Sequence, residues 1–280
     1  MDKTADLHVH TTLSDGTFSP EKVVEYSKEQ GLSAISITDH DCCDAIRPAI
    51  KKGDSIELEV IPGVEMTAEL GEDEMHILGY FIDWQNPSFI KRLKEISRIR
   101  EERARRILKK LRDKGLDILD EELFQLSGAG SVGRLHIAHL LVKKGYVSSI
   151  TRAFRDYIGN NGPCYVSKFK MTPKEAIDMI NKFGGVSILA HPGTINTKNR
   201  TIEETMEFLI KDGIKGIEVY HSDHNKAKET KFMDIAKRYS LLMAGGSDCH
   251  GLAKKDVLIG RVKIPYHLVE AIKDARPKRK

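Results

Sequence analysis

Short apolar runs alternate with helix signals along most of the chain, and this alternation limits the fold more than any other feature. Ser19 and Pro20 are typical of a helix start, and two capping boxes, Thr172–Glu175 and Thr201–Glu204, predict further starts. Repeated βα units imply a mostly parallel sheet or barrel, so the sequence predicts an α/β protein. The predicted strands are Asp6–Val9, Ser33–Thr38, Glu57–Ile61, Met75–Phe81, Val186–Ala190, Gly216–Tyr220 and Leu241–Ala244.

The pattern changes between residues 86 and 165, where the sequence shows helix signals and no convincing strand. Pro87–Arg112 is predicted to form one long charged helix, since apolar residues recur along it at helical spacing. We therefore predict a barrel made of residues 1–85 and 166–280, with residues 86–165 as an inserted helical domain that covers the substrate. The insert has 17 basic and nine acidic residues, which favours an anionic substrate. Basic runs like the one in its long helix are usually solvated faces, and we favour this interpretation over a nucleic-acid site.

Six of the eleven histidines lie at or near the ends of predicted strands. His8 and His10 are two residues apart, so both side chains face the same side of their strand. Loops at the carboxyl ends of parallel strands converge on one rim. His76 lies inside its strand, so it joins them only if that strand runs the other way or if the rim dips at that point. The candidate metal ligands are His8, His10, Asp15, His40, Glu65, His76, His191, Asp248 and His250.

Nine ligands are too many for one ion and suit two or three. Imidazole and carboxylate without thiolate indicate zinc, manganese or iron. The alternative is that each histidine is a surface or hydrogen-bonded residue, which is the interpretation that we give to His139 and His267. His221 and His224 follow a strand but lie outside the acidic pattern, and the sequence leaves open whether they reach the site.

Bulk properties exclude several other classes of protein. A net charge of +4 does not by itself indicate a nucleic-acid binder. No apolar run reaches the roughly 18–20 residues of a membrane span, and the first residues lack a signal-peptide core. The four cysteines form no CxxC pair, which is typical of unpaired thiols in a reducing compartment. A cytoplasmic location without membrane contact is therefore expected.

The segments around these residues resemble the PHP (polymerase and histidinol phosphatase) superfamily. Within it, the chain is most similar to small stand-alone bacterial phosphoesterases with a helical insert, which include 3′,5′-nucleoside bisphosphate phosphatases and enzymes that trim short RNA from the 5′ end. Leu135 is a departure, because relatives often have proline there. The matching segments are Asp6-Leu7-His8-Val9-His10-Thr11-Thr12-x-Ser14-Asp15-Gly16, Ile37-Thr38-Asp39-His40-Asp41, Gly63-Val64-Glu65, His76-Ile77-Leu78-Gly79-Tyr80, Leu189-Ala190-His191-Pro192-Gly193 and Gly245-Gly246-Ser247-Asp248-x-His250-Gly251. In the insert, Gly133-Arg134-Leu135-His136-Ile137-Ala138 and Pro163-x-Tyr165-Val166 also match the subgroup.

The resemblance implies a distorted (β/α)7 barrel, the PHP domain, with three divalent ions per chain. Mn²⁺ is the first choice, with Zn²⁺ and Fe²⁺ as alternatives. No ligand of the family is missing here, so an active enzyme is expected. By resemblance, one ion is held by His8, His10, Glu65 and Asp248, a second by Asp15, His40 and His250, and a third by His76, His191 and the bridging Glu65.

The expected reaction is hydrolysis of a terminal phosphomonoester by a metal-bridging hydroxide, held by Asp15, His40, Glu65 and Asp248. Asp39 and Asp41 flank His40 and either orient ligand imidazoles or belong to a solvated loop. Arg134 is the first candidate for binding a second phosphate, because its planar guanidinium binds phosphate through two hydrogen bonds. His136 and Lys168 are weaker candidates, and a surface role is the alternative for Arg134 and Lys168.

The expected substrate is a nucleotide, such as a nucleoside 3′,5′-bisphosphate, or a short oligoribonucleotide, with no obligatory protein partner. One alternative is a histidinol-phosphate phosphatase, although a basic insert gives no advantage with a small cationic substrate. A second alternative is a non-catalytic module stabilised by its metals, against which the intact ligand set argues.

Overall fold

The structure is a computed structural model that describes residues 2–71, 73–127, 132–167, 171–196, 200–253 and 256–277. It divides the chain into two compact units. The barrel unit consists of Met1–Ile90 and Lys170–Lys280, and the helical unit of Lys91–Phe169. These bounds lie close to residues 86 and 165, where the sequence pattern changes.

One eight-stranded sheet forms the barrel unit, in the order β7-β6-β5-β4-β3-β2-β1-β8. The two ends of the seven-stranded part meet, because Val9 and Cys249 form a bridge and the Asp248 N–H donates to the His8 carbonyl at 2.8 Å. The sheet is therefore a nearly closed barrel, and the predicted fold class is confirmed. The strands are β1 (Thr4–Val9), β2 (Ala34–Ile37), β3 (Glu59–Leu70), β4 (Asp73–Tyr80), β5 (Val186–Leu189), β6 (Gly216–His221), β7 (Leu242–Gly246) and β8 (Ile264–Pro265).

The strand directions place the candidate ligands at one end of the barrel. β1, β2 and β3 run parallel, as do β5, β6 and β7, whereas β4 is antiparallel to both β3 and β5. Of the two arrangements that would let His76 join the other ligands, the structure has the first, because β4 runs in the opposite direction. The short β8 pairs antiparallel with β1 and was not predicted from the sequence.

The predicted strand Glu57–Ile61 placed Glu65 after its end, and this was wrong, because β3 extends to Leu70 and includes Glu65. The strand continues past its parallel partner β2 and forms a long hairpin with β4, in which Glu65 is opposite Leu78. An isolated bridge still joins Glu65 to His40, so the residue stays at the end of the parallel strands.

The long charged helix Pro87–Arg112 has the predicted bounds, and the three predicted helix starts are present. Ser19 caps the first helix by accepting the Lys22 N–H, and both predicted capping boxes are present. Phe154–Ile158 continues the sixth helix as a π-helix. The α-helices of the described residues are α1 (Pro20–Glu29), α2 (Ile46–Ile56), α3 (Pro87–Arg112), α4 (Asp120–Ser127), α5 (Arg134–Lys143), α6 (Ile150–Ala153), α7 (Pro173–Lys182), α8 (Ile202–Lys211), α9 (Lys226–Arg238) and α10 (Tyr266–Asp274).

Each unit has a hydrophobic core of its own. Leu7, Leu78 and Ile188 are among the buried residues of the barrel unit, and Ile107 and Leu141 are among those of the helical unit. Burial of each such side chain contributes about 1.5–3 kcal/mol to folding. Among the described residues, no helix combines the length and low charge that crossing a bilayer requires.

Candidate metal centre

All nine candidate ligands lie in one cluster of the barrel unit. The ring centroids of His10 and His250 are 4.2 Å apart, and those of His40 and His76 are 4.8 Å apart. Groups that could hold a cation, with ligand atoms within 4.8 Å of one another, include His10–Asp15–His40–His250, His8–His10–Asp248, His8–Glu65–His191 and His40–Glu65–His76. The groups overlap, so the cluster suits more than one ion.

The buried carboxylate of Glu65 is the centre of the cluster. Its Oε1 lies 2.9 Å from Nδ1 of His76 and 3.0 Å from Nε2 of His191. Its Oε2 lies 3.1–3.4 Å from nitrogens of His8, His10 and His40. Each oxygen therefore faces a different set of imidazoles, which is the arrangement that a bridging carboxylate needs.

Several of these buried atoms have no hydrogen-bond partner among the described residues, although they lie close together. They are Nε2 of His8 and His10, Nδ1 of His40 and Oε2 of Glu65. A buried polar atom without a hydrogen-bond partner costs about 1–3 kcal/mol, so a cluster of such atoms is typical of a ligand-binding site. Imidazole nitrogens and carboxylate oxygens that lie within 4.8 Å of one another are ligands that divalent cations accept, so these residues fit a metal site.

The pKa values of the clustered imidazoles and carboxylates are shifted by burial and by their charged neighbours. Burial alone would lower the pKa of His10, but Asp248 and Glu65 raise this pKa to about 10. The pKa of His76 is also raised to about 10, by Glu65 and Glu74, against the effect of burial. Burial would raise the pKa of Glu65, yet the surrounding imidazoles keep it well below its usual range. Burial lowers the pKa of His40 to about 4. The carboxylates thus attract positive charge, which is supplied by protons or by metal ions.

Two of the candidate ligands have unusual backbone conformations. His191 has a φ of 25° and Asp248 a φ of 52°, and Asp41, next to His40, has a φ of 49°. Residues other than glycine pay a cost of order 1–3 kcal/mol for such angles, which persist at functional sites when the surroundings fix them. His191 and Asp248 follow β5 and β7, and both belong to the clustered groups, which agrees with strain at a functional site.

Asp39 holds the loop that carries Asp15. Its carboxylate accepts hydrogen bonds from the Thr11 N–H, the Thr11 hydroxyl and the Ser14 hydroxyl, at 2.6–2.7 Å. Asp41 accepts the N–H of Thr67 on β3 at 3.2 Å. The Ser14 hydroxyl oxygen also lies 3.4 Å from Nδ1 of His10, so Asp39 supports a candidate ligand imidazole through Ser14. Both acids are buried, which excludes the alternative of a solvated loop.

Sequence reasoning missed Glu218, a fully buried acid on β6. Its Oε1 lies 3.0 Å from Nδ1 of His8, and its Oε2 accepts the N–H of His191 at 2.6 Å. Carboxylates commonly orient metal-binding histidines in this way. The signal was present in the sequence, since a lone acid in the apolar run Gly216–Tyr220 must have a partner if that strand is buried.

His221, the last residue of β6, and His224, which follows the strand, differ in their surroundings. His224 is bound to backbone at both nitrogens, because its Nδ1 lies 2.9 Å from the Val219 carbonyl and its Nε2 accepts the Gly193 N–H. It therefore ties two loops together. His221 is buried beside the cluster, with its Nε2 3.5 Å from Oδ2 of Asp248.

The predicted substrate-binding residues belong to other parts of the chain. Arg134, in the helical unit, donates to the Ile158 carbonyl and to Oδ1 of Asn160. His136 accepts the Gly133 N–H at the start of α5. Lys168 lies outside the described residues.

Comparison with known proteins identifies relatives of this chain. It is 32% identical to the 5′-3′ exoribonuclease Rnm of Escherichia coli (strain K12) over 247 residues. The aligned region covers 88% of this chain and 84% of the relative. A 3′,5′-nucleoside bisphosphate phosphatase of Chromobacterium violaceum is 30% identical, covering 88% and 86%. A phosphoribosyl 1,2-cyclic phosphate 1,2-diphosphodiesterase of Eggerthella lenta is 29% identical, covering 88% and 94%.

A solved structure shows the same fold. The protein from Bifidobacterium adolescentis, described as a metal-dependent phosphoesterase, superimposes with a TM-score of 0.85 at 29% identity, covering 96% of this chain and 94% of that one. The sequence profile of the PHP domain family matches residues 6–164. The chain therefore belongs to the PHP domain family.

Proposed function

We propose that this protein hydrolyses phosphoric esters of nucleotides with divalent cations held by the nine clustered side chains. The convergence of six imidazoles and three carboxylates around the buried Glu65 carries the proposal. The names of the three relatives all denote hydrolysis of phosphoric esters, and the chain is a metal-dependent hydrolase of this class. The unpaired cysteines, three of them buried, support action in the reducing cytoplasm.

Three cations per chain are proposed, with Mn²⁺ as the first choice. Their ligands are the groups that the sequence resemblance implied, with Glu65 shared between them. When bound, such cations supply activated water at neutral pH and neutralise charge on phosphoryl oxygens. Donors of nitrogen and oxygen only, in overlapping groups, support this assignment.

The protein contributes a fixed arrangement of ligands to the reaction. Glu218 holds the ring of His8 and the backbone of His191, and Asp39 holds the loop that presents Asp15. Because burial keeps the pKa of His40 low, its imidazole is neutral and ready to bind a cation. A preorganised site of this kind does not need to rearrange as charge develops on the transferred phosphoryl group.

The proposed substrates are nucleoside 3′,5′-bisphosphates, which lose the 3′-phosphate, and short oligoribonucleotides. The basic composition of residues 86–165 supports an anionic substrate, and two of the relatives are named for these activities. A second candidate is a cyclic phosphate diester of a sugar, which the Eggerthella lenta relative favours.

The test compares four substrates with manganese-loaded protein: adenosine 3′,5′-bisphosphate, a 5′-phosphorylated tetraribonucleotide, histidinol phosphate and phosphoribosyl 1,2-cyclic phosphate. We expect kcat/KM for the bisphosphate to exceed that for histidinol phosphate by at least about 100-fold, or ~2.7 kcal/mol of transition-state stabilisation. Glu65→Gln, which removes the central charge, is the inactive control. A preference for the cyclic diester would favour the second candidate, and no hydrolysis of any ester by fully loaded protein would favour a non-catalytic module.

Arg134 remains the predicted contact of the second phosphate. Its guanidinium packs near the rings of Phe154 and Tyr165, and its Nη1 donates to the Ile158 carbonyl and to Oδ1 of Asn160. The position of the guanidinium is therefore fixed within the helical unit. Arg134→Lys should therefore raise KM for adenosine 3′,5′-bisphosphate about tenfold, because a lysine cannot form the paired hydrogen bonds. An equal effect on a nucleoside monophosphate would contradict the assignment to a second phosphate.

A further inference from the structure

β6 supplies none of the nine predicted ligands, yet it contributes two buried side chains beside them, Glu218 and His221. They are three residues apart, and a regular strand places side chains at that spacing on opposite faces. The register of β6 against β7 shifts between Glu218 and Tyr220. The additional residue of this bulge turns His221 to the face on which Glu218 lies.

The hydrogen bonds of His221 fix which nitrogen carries its proton. Nδ1 accepts the N–H of Asp223 at 3.0 Å, so it bears no hydrogen, and the N–H of the ring is on Nε2. Nε2 is buried, makes no hydrogen bond of good geometry within the described ranges, and faces Oδ2 of Asp248 at 3.5 Å. A nitrogen that carries a proton has no lone pair to offer a cation.

The carboxylate of Asp248 has two different surroundings. Oδ1 lies 3.2 Å from Nε2 of His10 and 3.5 Å from Nε2 of His8, among the proposed ligands. Oδ2 faces His221. We propose that His221 is a positioning residue that donates its Nε2–H to Oδ2 of Asp248 and so keeps Oδ1 as the single metal-binding oxygen.

The competing interpretation is that His221 binds an ion together with His8 and Glu218, since ligand atoms of these three residues lie within 4.8 Å of one another. Both oxygens of Glu218 are already engaged, one with the His8 ring and the other with the His191 N–H. The geometry therefore favours two supporting residues on β6, with Glu218 acting on His8 and His191, and His221 acting on Asp248.

The proposal rests on the metal centre of the proposed function, and a pair of variants tests it. His221→Leu removes the donor, whereas the side-chain amide of His221→Gln restores an N–H at similar reach. Tyr220→Phe, a conservative change at the neighbouring position of β6, is the matched control. For each variant we would measure Mn²⁺ affinity by chelator competition, ions per chain at saturation by elemental analysis, and the unfolding midpoint of metal-free protein.

We expect His221→Leu to weaken Mn²⁺ binding about 10–100-fold, as loss of a supporting hydrogen bond does at other metal sites, with the number of ions at saturation unchanged. His221→Gln and Tyr220→Phe should stay close to the wild type. If both His221 variants lost one ion per chain, His221 would be a ligand and the proposal would be wrong. Equal weakening by Leu and Gln, with a lower unfolding midpoint in both, would reduce His221 to a packing role.

These measurements do not require hydrolysis. Wild-type protein that binds Mn²⁺ but hydrolyses no ester would overturn the proposed function, while a difference in affinity between His221→Leu and His221→Gln would still support the positioning role.

Discussion

At the scale of single residues, the cluster depends on carboxylates that are buried among imidazoles. Glu65 faces five histidines and Glu218 supports two of the ligands. In an environment of low dielectric, each of these contacts is strong when it is satisfied and costly when it is broken. Single substitutions in the two acids should therefore have large effects on metal binding.

Glu218→Gln should weaken metal binding although the side chain keeps its shape. The carboxylate accepts hydrogen bonds on both oxygens, whereas the amide turns one acceptor into a donor that opposes either His8 or the His191 N–H. Loss of a carboxylate that orients a ligand typically costs 10–100-fold in affinity, so we expect a decrease of about this size in Mn²⁺ binding. Chelator competition measures it, with Glu21→Gln on the exposed first turn of α1 as the control. Affinity within twofold of wild type would contradict the supporting role.

Metal binding should release protons between pH 6.5 and 9. Without a cation, the pKa of His10 and that of His76 are raised to about 10, so both rings carry protons in this range. A cation takes their place, and affinity should rise about tenfold per pH unit for each proton displaced. Because the pKa of His10 is higher in the folded chain than in the unfolded chain, its protonation stabilises the metal-free fold. This contribution to the free energy of unfolding is complete below pH 6.5 and is lost as the pH rises toward about 10. Calorimetry in two buffers of different ionisation enthalpy counts the protons, and a count of zero at pH 7.5 would refute the prediction.

At the scale of helices and strands, features that depend on neighbouring residues, such as helix starts, could be predicted from the sequence. Ser19, Thr172 and Thr201 marked helix starts because their side chains cap local N–H groups, and the structure confirms all three. The length of β3 and the two residues of β8 were missed, because both depend on pairing with distant strands. The bulge in β6 was missed for the same reason. Local sequence signals thus predicted most helices and strands. The arrangement around Glu218 and His221 could be seen only in the three-dimensional structure.

The close approach of β7 to β1 should depend on glycine at position 246, which has no side chain. A Cβ there would lie 2.3 Å from the backbone nitrogen of His8 and 2.4 Å from its Cβ. Gly246→Ala must therefore push β7 away from β1, and we expect a loss of about 1–3 kcal/mol in stability together with weaker metal binding. Thermal unfolding and metal titration measure both effects.

The control for this substitution is Gly133→Ala, where the added methyl group would contact only Nδ1 of His136, at 3.9 Å. This variant should bind Mn²⁺ as the wild type does. If Gly246→Ala also bound Mn²⁺ normally and unfolded at the wild-type temperature, the close approach of the two strands would not be needed for the site.

At the scale of the whole molecule, the candidate ligands connect distant parts of one unit only. They extend from His8 to His250 and all belong to the barrel unit, whereas the helical unit has its own hydrophobic core, which includes Leu108 and Leu111. A cation bound by folded but not by unfolded chain stabilises the fold by RT ln(1 + [L]/Kd), which is about 4 kcal/mol when its concentration is 1,000 times Kd. This stabilisation should be distributed unequally between the two units.

Removal of metal should therefore lower amide protection in the barrel unit more than in the helical unit. We expect β1, β5 and β7 to exchange faster in excess chelator, since the cations no longer connect the residues on and after these strands, while the buried face of α3 exchanges at an unchanged rate. Hydrogen exchange with and without Mn²⁺, read by mass spectrometry of peptides from each unit, measures this difference. Glu65→Gln provides the control, because its exchange should respond far less to chelator. Equal acceleration in both units would mean that they unfold as one cooperative body, and the stabilisation by metal would then belong to the entire chain.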